Sequence, residues 1–184
     1  MTNYEKQLID IIKQDKQIMS ILEVVEKLNL NDAFVCAGLI RNKVWDTLHR
    51  ITTPIQDIDV IYFDSTDTSR EIEKELENKL IKLLPNQPWS VKNQARMHVK
   101  SGFKPFSSSY EAVAHFPETP TAVALRLCNN SMDIMAPYGL QDLFECKVRP
   151  TPFYEKSSQF YTIYLERIKM KKWNDIWEGL TIEI

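Results

Sequence analysis

The 184-residue sequence lacks the features of a secreted or membrane-spanning protein. Its three cysteines, Cys36, Cys128 and Cys146, are odd in number and far apart, with no C-x-x-C pair. That spacing argues against a zinc site and suits a reducing cytosol. The N-terminus has no signal-peptide pattern, and no apolar run approaches the roughly 18 residues that a transmembrane helix needs. We therefore expect a cytoplasmic protein that does not enter a membrane.

An excess of positive charge is also missing. Lys and Arg number 23 against 25 Asp and Glu, which gives a net charge of -2. This balance disfavours sequence-independent nucleic-acid binding over a broad surface. It is still compatible with a local basic groove. The chain has no internal repeats and no low-complexity linker, and its length suits one compact core. We predict a single domain over residues 1–184.

The apolar periodicity predicts helices and strands in mixed order. Helical patterns cover residues 1–28, 39–49, 69–84, a short stretch from 140, and 157–177. Strand patterns cover residues 33–37, 57–63, 89–93, 121–127 and 132–135, with Asn129 and Asn130 suited to a hairpin turn. This order predicts an α/β (α+β) fold with a mixed sheet flanked by helices. Within it we predict N-terminal helices (1–30), a catalytic-type core (31–150) and a C-terminal helix (151–184).

The most informative motif is Asp57-Ile58-Asp59, at the start of a strand-type run. In a strand, Asp57 and Asp59 project from one face, while Ile58 and Val60 point into the core. Their Cα atoms would lie about 6.6 Å apart. Unpaired carboxylates at this distance repel and raise each other's pKa, so a structural reason for them is weak. They can bind a divalent metal against phosphate oxygens, or else mark a strand end that faces water.

A glycine and a further carboxylate complete this pattern. Gly38 lies between a predicted strand and the start of a predicted helix, where a phosphate can approach backbone N–H groups. Asp133 lies between Met132 and Ile134, which is an unusual place for a charge unless something pairs with it. Three carboxylates that bind Mg²⁺ would be sufficient for phosphoryl or nucleotidyl transfer, because this reaction depends mainly on positioning and charge neutralisation.

A dense polar cluster follows the predicted strand 89–93. A guanidinium binds phosphate oxygens with two parallel hydrogen bonds, and amide side chains suit a base or a ribose. The alternative is a buried hydrogen-bond network at a strand–helix junction. The residues predicted to bind substrate are Gly38, Arg41, Lys92, Asn93, Gln94, Arg96 and His98.

Gly38, the paired carboxylates and Asp133 resemble the pattern of the nucleotidyltransferase superfamily, which includes polymerase-β-like, aminoglycoside and tRNA-CCA enzymes. Longer segments resemble a bacterial nucleotidyltransferase-like family of unknown substrate. These segments are GLIRNKVWD (38–46), WSVKNQARMH (89–98), ETPTAV (118–123), APYGLQDLF (136–144) and RPTP (149–152). The resemblance runs from about Phe34 to Trp177.

The resemblance implies a nucleotidyltransferase fold in which Asp57 and Asp59 bind metal and Asp133 is the third carboxylate. It also implies a nucleoside triphosphate as donor, Mg²⁺ as cofactor with Mn²⁺ as the alternative, and an acceptor that the motifs do not name. The superfamily usually has Ser or a second Gly after the glycine, and Leu39 stands here instead. A catalytically inactive nucleotide- or RNA-binding module is therefore the second hypothesis.

A third hypothesis treats the carboxylates as structural groups in salt bridges to Arg96 and Arg126. Two further features are interpreted as structural. Glu118 is expected to orient a loop. The basic residues of the C-terminal helix are expected to form a solvated face rather than a nucleic-acid site. These basic residues are Arg167, Lys169, Lys171 and Lys172.

Overall fold

The computed structural model describes residues 1–184, except the side chain of Lys100. The helices are α1 (Asn3–Gln14), α2 (Lys16–Glu26), α3 (Gly38–His49), α4 (Arg70–Leu83), α5 (Gln94–Ser101), α6 (Ser109–Ala114), α7 (Gln141–Phe144) and α8 (Tyr161–Lys171). The strands are β1 (Phe34–Cys36), β2 (Ile58–Tyr62), β3 (Trp89–Asn93), β4 (Ala124–Cys128), β5 (Ser131–Met135), β6 (Lys147–Val148) and β7 (Thr181–Ile182). Among the described residues, no helix is both long enough and apolar enough to cross a membrane.

Five strands form one mixed sheet in the order β3-β2-β1-β4-β5, and β6 and β7 pair as a separate parallel ribbon. Only β2 and β3 are parallel neighbours in the large sheet, whereas the other pairs are antiparallel. The predicted fold class, a mixed sheet flanked by helices in a single domain, is confirmed. The subdivision at residues 30 and 150 stays a prediction.

The N-terminal helical stretch is divided at Asp15, whose backbone is extended (φ -96°, ψ 101°). Its Oδ1 accepts hydrogen bonds from the backbone N–H groups of Gln17 and Ile18, each at 3.0 Å. A side-chain acceptor here satisfies amides that a helix start leaves free, so Asp15 ends α1 and begins α2. The C-terminal helix is shorter than the predicted 157–177, because Lys172 takes a left-handed conformation (φ 47°).

The two faces of the sheet differ in what covers them. Ile58, Val60 and Tyr62 of β2 point into the larger hydrophobic cluster, which also contains the apolar residues of α1, α2 and α3. Ile61 points the other way, into a smaller cluster that includes Val113 of α6. Because side chains alternate along a strand, Asp57 and Asp59 belong to this second, less thickly covered face. The inward direction predicted for Ile58 and Val60 is confirmed.

Two glutamates of α4 cover the open edge of β3. Glu77 Oε1 accepts a hydrogen bond from the backbone N–H of Val91 at 2.9 Å. Glu73 Oε1 accepts one from the backbone N–H of Asn93 at 2.7 Å. Unpaired N–H groups on a sheet edge invite pairing with another chain, and these carboxylates remove two of them.

Asp46 of α3 is 7% exposed and joins α3 to the C-terminal segment. Its Oδ1 accepts a hydrogen bond from the indole N–H of Trp177 at 2.8 Å. Its Oδ2 accepts from the backbone N–H and the hydroxyl of Thr53, at 2.8 and 2.9 Å. Asp46→Ala leaves these donors without a partner, so we expect a loss of roughly 3 kcal/mol in the free energy of unfolding.

Urea denaturation of Asp46→Ala measures this loss. The control is Asp10→Ala, at an exposed position of α1, which should lie within about 0.5 kcal/mol of the wild type. Equal stability of the two variants would contradict the role of Asp46.

Candidate functional site

Asp57 and Asp59 lie side by side on the second face of the sheet. Asp59 is in β2, opposite Cys36 of β1 and Ser90 of β3, and Asp57 directly precedes the strand. Neither carboxylate belongs to an ion pair among the described side chains. The strand therefore carries two acidic groups whose structural partner is missing, as the sequence pattern indicated.

The turn from β1 into α3 lies against this pair. Ala37 has a positive φ of 60°, and its backbone N–H donates to the carbonyl of Val123 at 3.0 Å. A Cβ atom added at Gly38 would lie 3.6 Å from Asp57 Oδ1 and 3.8 Å from Arg41 Nη2. The start of α3 thus meets the acidic pair directly, and Gly38 leaves the space between them open.

Arg41 lies behind Gly38 and is only 4% exposed. Its Nη1 donates to the hydroxyl of Thr121 at 2.8 Å, and its guanidinium carbon lies 4.5 Å from the ring centroid of Trp173. Burial lowers the pKa of Arg41 to about 10, although nearby carboxylates, including Asp57 and Asp59, oppose the change. Arg41 was predicted to bind substrate, and the structure places it in the interior next to Gly38.

A second buried charge lies close by. Glu118 is fully buried, and its Oε1 accepts a hydrogen bond from Arg167 Nε of α8 at 2.6 Å, with Arg167 Nη2 3.3 Å from Oε2. Burial alone would lower the pKa of Arg167, but these hydrogen bonds outweigh it and the pKa is raised. The ion pair fixes α8 to the loop that precedes β4.

The surroundings of Asp59 disfavour its ionised form. Burial, and then the charge of Asp57, raise the pKa of Asp59, against the smaller effects of Ser90, Lys92 and Lys171. Burial also raises the pKa of the Cys36 thiol, and both carboxylates add to that shift. A cation placed between Asp57 and Asp59 would relieve this repulsion.

The donor set fits a divalent ion that arrives with its substrate. No group of three or more His, Cys, Asp or Glu side chains in the described part of the chain is arranged around a common metal position. Mg²⁺ is usually bound by one or two carboxylates together with water and substrate phosphates. The oxygens of Asp57 and Asp59 match this requirement, and a closed cage made of protein ligands alone is not needed.

Asp133, the predicted third carboxylate, does not join the pair. It lies on β5, and β1 and β4 separate that strand from β2. Its Oδ2 accepts a hydrogen bond from Arg126 Nε at 2.9 Å, and its side chain is 44% exposed beside an open groove of about 920 Å³. This cross-strand pair explains the unusual charge in an apolar alternation, and the assignment of Asp133 to the metal site stays a prediction.

The polar cluster after β3 is largely structural. Arg96 forms a two-pronged ion pair with Glu73, with Nε 2.8 Å from Oε1, and this contact raises the pKa of Arg96. The fully buried Asn93 accepts from the N–H of Ala95 and donates to the carbonyls of Asp64 and Asp67. These contacts match the alternative, a buried network at a strand–helix junction, and the substrate contacts of Arg96 and Asn93 stay predictions.

The remaining members of the cluster are also held by the protein. Gln94 is buried and donates to the carbonyl of Lys92 at 3.1 Å. Lys92 Nζ lies 3.3 Å from Glu77 Oε1. The Nδ1 atom of His98 is buried without a partner, and its ring contacts Phe106 edge-on. Of these side chains, Lys92 alone is among the charges that act on Asp59.

The third hypothesis required salt bridges from the carboxylate pair to Arg96 and Arg126. Those two arginines bind Glu73 and Asp133 instead. Three charges that the sequence assigned to structure act on this region instead: Glu118 and Arg167 act on Arg41, and Lys171 acts on Asp59. The i, i+4 spacing of Arg167 and Lys171 was the one local signal that they share a helix face.

Comparisons with known proteins agree with this geometry. A nucleotidyltransferase family model matches residues 23–182. A protein whose NMR structure is described as a CCA-adding enzyme head domain is 33% identical, with a TM-score of 0.86, over 97% of this chain and 95% of that one. No curated protein matches the chain.

Two larger enzymes share the fold. The CCA-adding enzyme of Bacillus stearothermophilus in complex with CTP has a TM-score of 0.58 and 15% identity, over 92% of this chain and 41% of that one. The Thermotoga maritima CCA-adding enzyme complexed with tRNA has a TM-score of 0.60 and 15% identity, over 100% of this chain and 43% of that one. This chain therefore spans less than half the length of either enzyme.

The unpaired state of Asp59 has a measurable consequence for stability. Its folded-state pKa is raised, so the ionised carboxylate lowers the stability of the fold above that pKa, and the effect vanishes below the unfolded-state pKa. We expect Asp59→Asn to melt at a higher temperature than the wild type at pH 7 without divalent metal. The difference should close as the pH falls toward about 4.

Thermal denaturation in a chelator at pH 7 and at the lower pH tests this expectation. Asp133→Asn is the matched control and should show no such gain, since its carboxylate is paired with Arg126. A lower melting temperature for Asp59→Asn at pH 7 would mean that Asp59 forms a stabilising ion pair.

Proposed function

Because the chain belongs to the nucleotidyltransferase family, we propose that it is a Mg²⁺-dependent enzyme that transfers a nucleotidyl group to an acceptor hydroxyl. The donor is a nucleoside triphosphate, and pyrophosphate is released. The observation that carries the proposal is the unpaired Asp57 and Asp59 beside Gly38 at the start of α3. A site that lowers the stability of its own fold in this way is typical of function rather than of structure.

Asp57 and Asp59 would bind Mg²⁺, or Mn²⁺ as the alternative. A bound metal of this kind neutralises phosphate charge and lowers the pKa of an attacking hydroxyl. The protein supplies the positions: β2 fixes both carboxylates on one face, and Gly38 leaves the approach to the first turn of α3 open. Backbone N–H groups at a helix start favour a phosphate there.

Arg41 has a supporting role in this proposal. Its charge is buried beside the acidic pair and is held by Thr121 and the ring of Trp173. A fixed internal cation beside the pair offsets part of its negative charge and leaves the carboxylates available to a metal. Arg41 therefore acts through Asp57 and Asp59 and does not contact the nucleotide.

The choice of donor is supported by the fold relatives. CCA-adding enzymes with this fold are described in complex with ATP, with CTP and with tRNA. A nucleoside triphosphate suits the site, since its phosphates supply the oxygen ligands that two carboxylates leave vacant. Nucleic acid is one candidate acceptor, although the net charge of -2 does not indicate a broad nucleic-acid surface.

An inactive nucleotide- or RNA-binding module is the second candidate. Leu39 follows Gly38, and its side chain is 6% exposed within the larger hydrophobic cluster. It offers no hydroxyl to a phosphate where the superfamily usually has Ser or a second Gly. In this candidate, the protein binds a nucleotide or RNA but no longer catalyses nucleotidyl transfer.

Titration calorimetry with ATP, GTP, CTP and UTP, with and without Mg²⁺, tests the site. We expect Mg²⁺-dependent binding of at least one triphosphate by the wild type and none by the Asp57→Asn/Asp59→Asn variant, which lacks both metal ligands. Asp133→Asn should bind like the wild type, because its carboxylate belongs to another groove. Equal binding by the double variant would contradict the assignment.

Pyrophosphate release separates the two candidates. Release in the presence of an acceptor would exclude the inactive module. Binding without release across hydroxyl acceptors, including small RNAs, would favour it. A wild type that binds no triphosphate at all would favour the inactive module in its RNA-binding form.

A further inference from the structure

The end of α8 is held beside the carboxylate pair by a chain of direct contacts. Trp173, two residues beyond α8, packs its ring 4.5 Å from the guanidinium carbon of Arg41. Arg41 Nη2 in turn lies 3.8 Å from the Cβ position of Gly38, which is 3.6 Å from Asp57 Oδ1. These contacts place the last turn of α8 close to the proposed site.

The rotation of α8 about its own axis is also fixed. Arg167 is bonded to the fully buried Glu118, so this side of the helix faces the protein interior, where the charge of Asp59 also acts on Arg167. Lys171 lies four residues further, on the same face of the helix. Lys171 is exposed, and no carboxylate in the described part of the chain forms an ion pair with it.

Lys169 shows that a lysine near the end of α8 need not have this position. It is also exposed and lies in the same last turn, where a positive charge suits the helix dipole. Two residues correspond to about 200° of rotation, so Lys169 faces away from the side that Arg167 and Lys171 share. The charge of Lys171, and not that of Lys169, is among those that act on Asp59.

We propose that Lys171 binds the phosphate groups of the nucleotide held at Asp57 and Asp59, with the Arg167–Glu118 pair fixing α8 so that it presents Lys171. This inference rests on the proposed function and adds a residue to its site. The chemical reason is charge: a bound metal neutralises only part of a triphosphate that lies against two carboxylates. An ammonium on a flexible stem, free of any internal partner, suits the remaining oxygens.

Titration of Lys171→Gln with ATP, AMP and inorganic tripolyphosphate in the presence of Mg²⁺ tests this role. We expect about tenfold weaker binding of ATP and of tripolyphosphate, and little change for AMP, because one charge-assisted contact to the outer phosphates is lost. Lys169→Gln is the matched control, with the same substitution on the opposite side of the same turn, and should bind like the wild type.

The outcomes separate this inference from the proposed function. If the wild type binds Mg²⁺ with ATP but Lys171→Gln and Lys169→Gln bind it equally well, Lys171 is not a phosphate ligand and the proposed function stands. If Lys171→Gln lowered the affinity for AMP and ATP equally, the inference would also be overturned, since Lys171 would then not contact the outer phosphates. If the wild type binds neither ATP nor tripolyphosphate, this inference fails, and the proposed function is decided separately by the titrations with GTP, CTP and UTP.

Discussion

The buried charge of Arg41 is the constraint on which the rest of the structure depends. An unpaired charge in a protein interior is very costly, so everything around this guanidinium must compensate for it. Thr121 accepts one hydrogen bond, Asn42 accepts another at 2.9 Å, and the ring of Trp173 covers one side. These partners come from α3, from the segment before β4 and from the C-terminal segment. One side chain thereby holds together three parts of the chain that are distant in sequence.

The same charge makes the acidic pair tolerable. Asp57 and Asp59 lack ion-pair partners among the described residues, and the raised pKa of Asp59 shows that the fold disfavours its ionised form. Arg41 lowers that penalty without occupying the outer side of the pair, because it lies behind Gly38. The arrangement leaves the pair partly uncompensated and open, which is what a metal-binding surface requires and a structural ion pair does not.

The sequence was sufficient for the local parts of this picture. Alternation along β2 predicted that Asp57 and Asp59 share a face, and the glycine at a strand–helix turn predicted where α3 begins. The long motifs resembled a nucleotidyltransferase family, and the family is confirmed. For Asp133, alternation gives the face of the residue but not the position of its strand in the sheet. The β4–β5 hairpin lies at the outer edge, so a carboxylate on the correct type of strand ended far from β2.

The opposite case is α8, whose basic residues the sequence pattern assigned to a solvated face. A run of basic residues beside aromatics is typical of a solvated helix face, and for Lys169 that interpretation agrees with its exposure. The sequence pattern could not reveal that Arg167 binds the buried carboxylate of Glu118. The two residues are 49 positions apart in sequence, and no motif near Glu118 indicates a partner. Once that pair forms, the helical period alone decides which lysine turns toward the acidic pair. Three carboxylates and three basic groups then surround the site: Asp57, Asp59 and Glu118 against Arg41, Arg167 and Lys171. Of the three basic groups, Lys171 alone is both exposed and unpaired, so the surplus negative charge of an incoming metal–triphosphate complex would be neutralised from that side.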